Sequence, residues 1–230
     1  MYLLLLLLTQ CTATSLLETM IQRRTKYELV PMIIMPVFLR KENYLDDALV
    51  SVDKARGDMP VLLVTATPGY AQHAAGWCSY FDCIETPPVP QDIYDKAIAM
   101  DTRGDDQNFL KWRTKEAWDA MFAMRQFVKT GRQYMIWLED DVFVHDLDNI
   151  PDQDITCLRT GNEYCGTVAY KIKRWVVIEY IRRLERDFLT KPVDWILEEM
   201  RNDLGIHEYR VKKVDHKGKK SSNNKIRTVD

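Results

Sequence analysis

The 230-residue sequence contains no Asn-x-Ser/Thr triplet, so N-glycosylation of the chain itself is not expected. It has no Cys-x-x-Cys pair, which argues against a zinc ribbon or finger. No apolar run approaches the roughly 20 residues that a bilayer crossing requires; the longest is the leucine block at residues 3–8. There is no internal repeat and no linker long enough to separate two domains. Excess charge is also lacking: a net charge of -2 gives no reason to expect a polyanion partner over the whole surface. A 46 % hydrophobic and 29 % charged composition excludes a disordered chain, and the length suffices for one sizeable core.

The leucine block, followed by small polar residues in "MYLLLLLLTQCTATS", has the form of a secretory signal with small residues near Ala13 as a cleavage point. Residues 1–15 are therefore expected to be a signal peptide or the remnant of a signal anchor, placing the chain in the secretory-pathway lumen. Any membrane association would run through that segment alone. Setting Cys11 aside leaves Cys78, Cys83, Cys157 and Cys165, an even set that suggests two disulfides. Four cysteines allow three pairings, and the local spacings favour Cys78–Cys83 and Cys157–Cys165. Basic residues crowd the tail between Arg210 and Arg227. A nucleic-acid-binding tail is one reading of them, and a secretory start opposes it.

Continuous apolar stretches alternate with amphipathic ones. "LVPMIIMPVFL", "MPVLLVTATPGY", "CIETPPVP" and "QYMIWLEDD" read as strands, with "NYLDDALVSVDKARG" and "NFLKWRTKEAWDAMFAMRQFVKTG" as helices between them. Further on, "GTVAYKIKR" reads as a strand and "WVVIEYIRRLERDFL" and "KPVDWILEEMRNDLG" as helices, with "EYRVKKVDHKG" as a final strand. The pattern predicts one α/β domain over residues 29–230, its mostly parallel central sheet covered by helices on both faces. In such sheets ligands bind beyond the carboxyl ends of the strands.

At one such end stand Glu139, Asp140 and Asp141. Three adjacent like charges repel one another unless something compensates them. Hard carboxylate oxygens suit Mg²⁺ or Mn²⁺, and such an ion can neutralise a departing diphosphate. A plain solubilising cap is the alternative, as is the acidic site of a phosphatase or response regulator. Asp194 follows Pro192 at a helix start, where it is either a dipole-matched carboxylate or a general base; Glu198 and Glu199 are the reserve bases. His216 follows a strand and precedes a glycine, a structural histidine or a ligand. Ser221 and Ser222, beside Lys219 and Lys220, can hold diphosphate oxygens. Trp112, Trp118 and Trp195 read as core rather than sugar platforms.

Four ordered motifs carry a resemblance: Trp112-Arg113-Thr114-Lys115, Leu138-Glu139-Asp140-Asp141, Lys191-Pro192-Val193-Asp194-Trp195, and the His216 to Ser222 element. Together they resemble the N-acetylglucosaminyltransferase IV family, from about residue 29 to 225. The resemblance implies a GT-A fold, a UDP-sugar donor, Mn²⁺ or Mg²⁺, inversion at the anomeric carbon and β1,4 transfer of GlcNAc to a mannose of an N-glycan-like or glycoprotein acceptor in the Golgi. It implies Asp141 and His216 as metal ligands and Asp194 as base. Glu139 and Asp140 would meet the ribose, uracil or sugar, while Arg113 or Lys115 reaches the donor pocket and Ser221, Ser222 and Arg40 lie near phosphate or uridine. A related group that transfers GalNAc onto GPI glycans shares the triplet and the terminal element, and a nucleotide-sugar-binding protein without turnover is a further alternative.

Overall fold

The computed structural model describes residues 22, 24–38, 44–65, 75–159 and 165–217. Residues 1–15, Arg40, Ser221 and Ser222, with Lys219 and Lys220, lie outside the described residues. Among the described residues, nine strands and seven helical segments follow one another: α1 (residues 24–29), β1 (Met32–Val37), α2 (Leu45–Ala55), β2 (Val61–Thr65), α3 (Ala75–Cys78), β3 (Asp82–Glu85), α4 (Gln91–Ala99), α5 (Gln107–Lys129), β4 (Tyr134–Leu138), β5 (Val142–Val144), β6 (Ile155–Cys157), β7 (Ala169–Lys173), α6 (Arg174–Asp187), α7 (Val193–Leu204), β8 (Tyr209–Arg210) and β9 (Val214–His216).

Seven strands form one sheet in the order β3-β2-β1-β4-β7-β6-β8. β1 to β4 are mutually parallel; β7 runs antiparallel to β4, and β6 antiparallel to β7. This is the mostly parallel, helix-flanked α/β sheet read from the sequence, and it is compatible with a GT-A-like fold. Alternate strand residues face opposite sides. Ile34, Val64, Met135 and Trp137 pack with α5, α6 and α7 in one core. Ile33, Met35, Leu63, Ile136 and Leu138 pack with the stripe Leu45, Leu49 and Val52 of α2 in the other. β1, β2 and β4 each contribute residues to both cores.

Some elements depart from the sequence reading. "EYRVKKVDHKG" is two short strands in different sheets, because β8 extends the main sheet beside β6 while β9 pairs antiparallel with β5. α1, α3, α4, β5 and β6 have no counterpart in the sequence reading. β5 is pinned from within: Val144 N–H donates to the buried Ser51 hydroxyl on α2 at 2.9 Å, and that hydroxyl donates to Ala48 O at 2.7 Å. Both expected disulfides are present, with Cα–Cα distances of 5.3 Å for Cys78–Cys83 and 6.3 Å for Cys157–Cys165. They fit a chain that matures in an oxidising lumen. Among the described residues no helix is long and apolar enough to cross a membrane.

Candidate functional site

From β1 the chain winds outward through β2 to β3, then returns to the other side of β1 with β4. The sheet therefore has its topological switch point between β1 and β4, where a crevice is expected beyond the carboxyl ends. Pairing between these strands stops at Ile34 and Trp137. Past that point lies Pro36, which has no N–H to extend the ladder. The strands diverge, and a small cleft opens between Pro36, Phe38, Glu116, Glu139, Thr167 and Val193. A wider concavity beside α1 is lined, among the described residues, by Gln22, Thr25, Lys26, Leu29, Val30 and Pro31, none of them a carboxylate.

The acids form the turn from β4 into β5, and each meets a different element. Glu139 follows Trp137 onto the α5 face and accepts the Thr167 hydroxyl proton at 3.0 Å. Asp140, 2 % exposed, accepts from Phe38 N–H at 2.7 Å and so bridges the gap where the β1–β4 ladder ends. Asp141, 1 % exposed, lies 3.2 Å from His216 Nε2. β9 delivers that imidazole, since Val142 stands opposite His216 and Lys217 N–H donates to Asp141 O at 2.8 Å. One ligand atom each from Glu139, Asp141 and His216 lies within 4.8 Å of the others.

Two carboxylates and one imidazole are a donor set for a divalent cation: the carboxylate oxygens suit Mn²⁺ or Mg²⁺, and the imidazole nitrogen draws the site toward a transition-metal ion. Metal–ligand bonds of about 2.1 Å place ligand atoms roughly 3 to 4.2 Å apart around one ion. The trio approaches that spacing, so the residues fit a divalent cation. Asp141 and His216, paired as ligands in the sequence reading, are together, and Glu139 joins them rather than standing apart. Asp140 is turned toward β1.

Arg113 and Lys115 are not brought to the acids. The Arg113 guanidinium, 1 % exposed, donates to Leu189 O at 3.1 Å and lies 3.4 Å from Asp105, bracing the turn that leads into α7. Lys115 pairs with Asp119 at 2.8 Å, one helical turn away. It is the next residue, Glu116, that lines the cleft. Neither Glu116 nor Thr167 was singled out from sequence. The i, i+4 spacing of Glu116 and Ala120, which share the cleft, is a signal for the first; nothing local marks the second.

Asp194 lies in the first turn of α7, beside Val193 of the cleft wall. That helix start is held from below, where the buried Tyr180 hydroxyl donates to Val193 O at 2.7 Å. Burial pushes the Asp194 carboxyl above its ordinary range, against the opposing pull of the Trp195 and Asp194 backbone N–H groups. The result is a more basic carboxylate than a surface aspartate. Glu199 is tied to Lys191 at 2.6 Å, and Glu198 is exposed. Trp112 and Trp118 are partly buried, but Trp195 is 51 % exposed, which corrects the expectation that it belongs to the core.

No protein-family model matches the chain. Over 121 residues it is 26 % identical to the proteins named alpha-1,3-mannosyl-glycoprotein 4-beta-N-acetylglucosaminyltransferase B of Mus musculus and of Homo sapiens, a stretch covering 48 % of this chain and 21 % of each relative. The match spans about a fifth of the length of these curated relatives. At the level this identity and coverage permit, the chain is distantly similar to a glycosyltransferase.

Proposed function

We propose that the chain is a metal-dependent, inverting glycosyltransferase that transfers GlcNAc from UDP-GlcNAc in β1,4 linkage to a mannose of an N-glycan-like acceptor, in the Golgi lumen. The observation that carries this reading is the convergence of Glu139, Asp141 and His216 at the β1–β4 switch point. The distant similarity to a named GlcNAc-transferase supports the choice of chemistry.

In this mechanism Glu139, Asp141 and His216 would hold a divalent cation. When bound, the cation neutralises charge developing on the departing diphosphate. Thr167 orients Glu139 through its hydroxyl. Asp140 fixes the end of β1 that borders the donor. Asp194 takes the proton of the acceptor hydroxyl as that oxygen attacks the anomeric carbon. The new C–O bond forms opposite the breaking bond to UDP, which leaves as the diphosphate, so the configuration inverts.

The test is UDP release from UDP-GlcNAc, with and without a mannosyl acceptor, across a Mn²⁺ titration. Release is expected to require the metal and to rise with acceptor. Asp141→Ala should remove the metal dependence of UDP affinity. UDP affinity in wild type that is indifferent to chelator would overturn the metal site, while faster release from another UDP-sugar would reassign the donor.

A further inference from the structure

Trp195 is an aromatic side chain left half exposed beside a carboxylate whose basicity burial has raised. A lone exposed tryptophan would be unremarkable, but this ring is built into a brace. The Arg103 guanidinium lies 5.3 Å from the ring centroid. Arg103 is held in turn by Asp105 at 2.9 Å, and Asp105 also meets the buried Arg113. The short loop presenting Arg103 is wound around Asp101, whose carboxylate accepts from Arg103 N–H at 3.3 Å and Asp105 N–H at 2.8 Å. From the other side Arg113 grips Leu189 O, two residues before the Lys191-Pro192 start of α7. The Trp195 backbone N–H donates to Asp194 Oδ1 at 3.0 Å. Ring and guanidinium are thus one fixed unit at the first turn of α7, one residue on from Asp194 and two from the cleft-lining Val193.

We propose that this unit is the acceptor subsite, and that a neutral hexopyranose stacks its C–H face on the exposed part of the Trp195 ring. The proposal rests on the transferase reading above and names the residues on its acceptor side. A pyranose has an apolar face of axial hydrogens and a rim of hydroxyls. The indole supplies the apolar counterpart, and Arg103 the hydrogen-bond donors that hydroxyl oxygens require. Asp194 then lies within the same turn as the ring on which the attacking sugar rests. Lys or Glu at this position would bind the rim without orienting the face; the indole orients the face and leaves the rim to Arg103. The Arg103–Asp105–Arg113 chain acts through Trp195 and is a positioning device.

Saturation-transfer NMR with methyl α-mannoside and with a trimannoside tests this on the full chain, alongside the acceptor KM. Wild type should transfer saturation to the C–H protons of one sugar face. Trp195→Ala should abolish that transfer and raise the acceptor KM about tenfold, the affinity equivalent of losing one buried sugar face, with UDP affinity in Mn²⁺ retained. Trp195→Phe should keep part of the transfer, and Arg103→Gln should raise KM less than the alanine variant. Unchanged saturation transfer and KM in Trp195→Ala would overturn the platform and leave the donor-site reading standing. A wild type that binds mannosides through Trp195 but no UDP in Mn²⁺ would sink the donor-site reading and keep the platform. A wild type that binds UDP but transfers no saturation to either mannoside would also overturn the platform, leaving Trp195 as a protein-docking residue.

Discussion

Thr167→Val offers the sharpest test of whether Glu139 is a metal ligand. The substitution keeps the β-branched shape and deletes one oxygen, the donor 3.0 Å from Glu139 Oε1. Its backbone turn does not depend on that oxygen. Val168 N–H donates to Cys165 O at 3.3 Å, Glu139 N–H donates to Val168 O at 2.9 Å, and Cys165 is tethered to Cys157. Gly166, at φ 55, takes the left-handed position that the turn needs. The variant should therefore fold, with a melting temperature close to wild type. A hydrogen bond to a carboxylate is worth about 1.5 to 3 kcal/mol, and loss of such an outer partner lowers metal affinity roughly 10- to 100-fold. Glu139 is only partly buried, so water can replace some of the bond, and the lower end, about tenfold, is expected. Calorimetric or paramagnetic titration with Mn²⁺ reads the shift directly. In a Glu139→Gln background the effect of Thr167→Val should vanish, because the two act through one contact. A Mn²⁺ midpoint that moves less than twofold in a folded Thr167→Val would remove Glu139 from the metal shell.

Asp194→Asn should lower turnover about 10²- to 10⁴-fold, the range of a lost general base, while UDP still binds with Mn²⁺; near-wild-type turnover would take the base role away from Asp194. Because burial raises this carboxyl, the acid limb of the wild-type kcat/KM profile should lie above the ordinary carboxylate range, and a limb at the usual value would contradict the geometry. Asp119 supplies a stability prediction away from the cleft. Burial lifts its carboxyl from 3.8 to about 6, outweighing the Lys115 ammonium. The folded chain then holds a proton that the unfolded chain releases, so this contribution is complete below pH 3.8 and is lost as pH rises through about 6. Wild type should lose roughly 2 kcal/mol relative to Asp119→Asn between pH 4 and 6.5; parallel urea-unfolding curves for the two across that interval would refute it.

What the sequence made legible follows from how far each cause extends along the chain. β1, β2 and β4 are runs buried on both faces, so unbroken apolar stretches announce them. α5 carries its own start in Asp106, whose side chain accepts from Asn108 and Phe109 N–H, and its own stop before Gly131 at φ 78. β5, β6 and β9 are three residues each, too short for a period to register, and exist because of partners elsewhere. The disulfides were legible because both close over short separations of 5 and 8 residues. The acids show the limit most clearly. As neighbours in sequence they read as one cluster with one purpose. In the fold they separate: Glu139 meets Thr167 at a separation of 28 residues, Asp141 meets His216 at 75, and Asp140 meets Phe38 N–H at 102. No local pattern could allot those partners. The same separation answers why three adjacent carboxylates are tolerated at a strand end. A hydroxyl, an imidazole and a backbone amide, each from a different element, take one carboxylate apiece, so the turn after β4 is where the two sheets and the β1 end are joined. A cation at Glu139, Asp141 and His216 would add to that joint, and metal binding should therefore protect the β5–β9 pair and the end of β1 together.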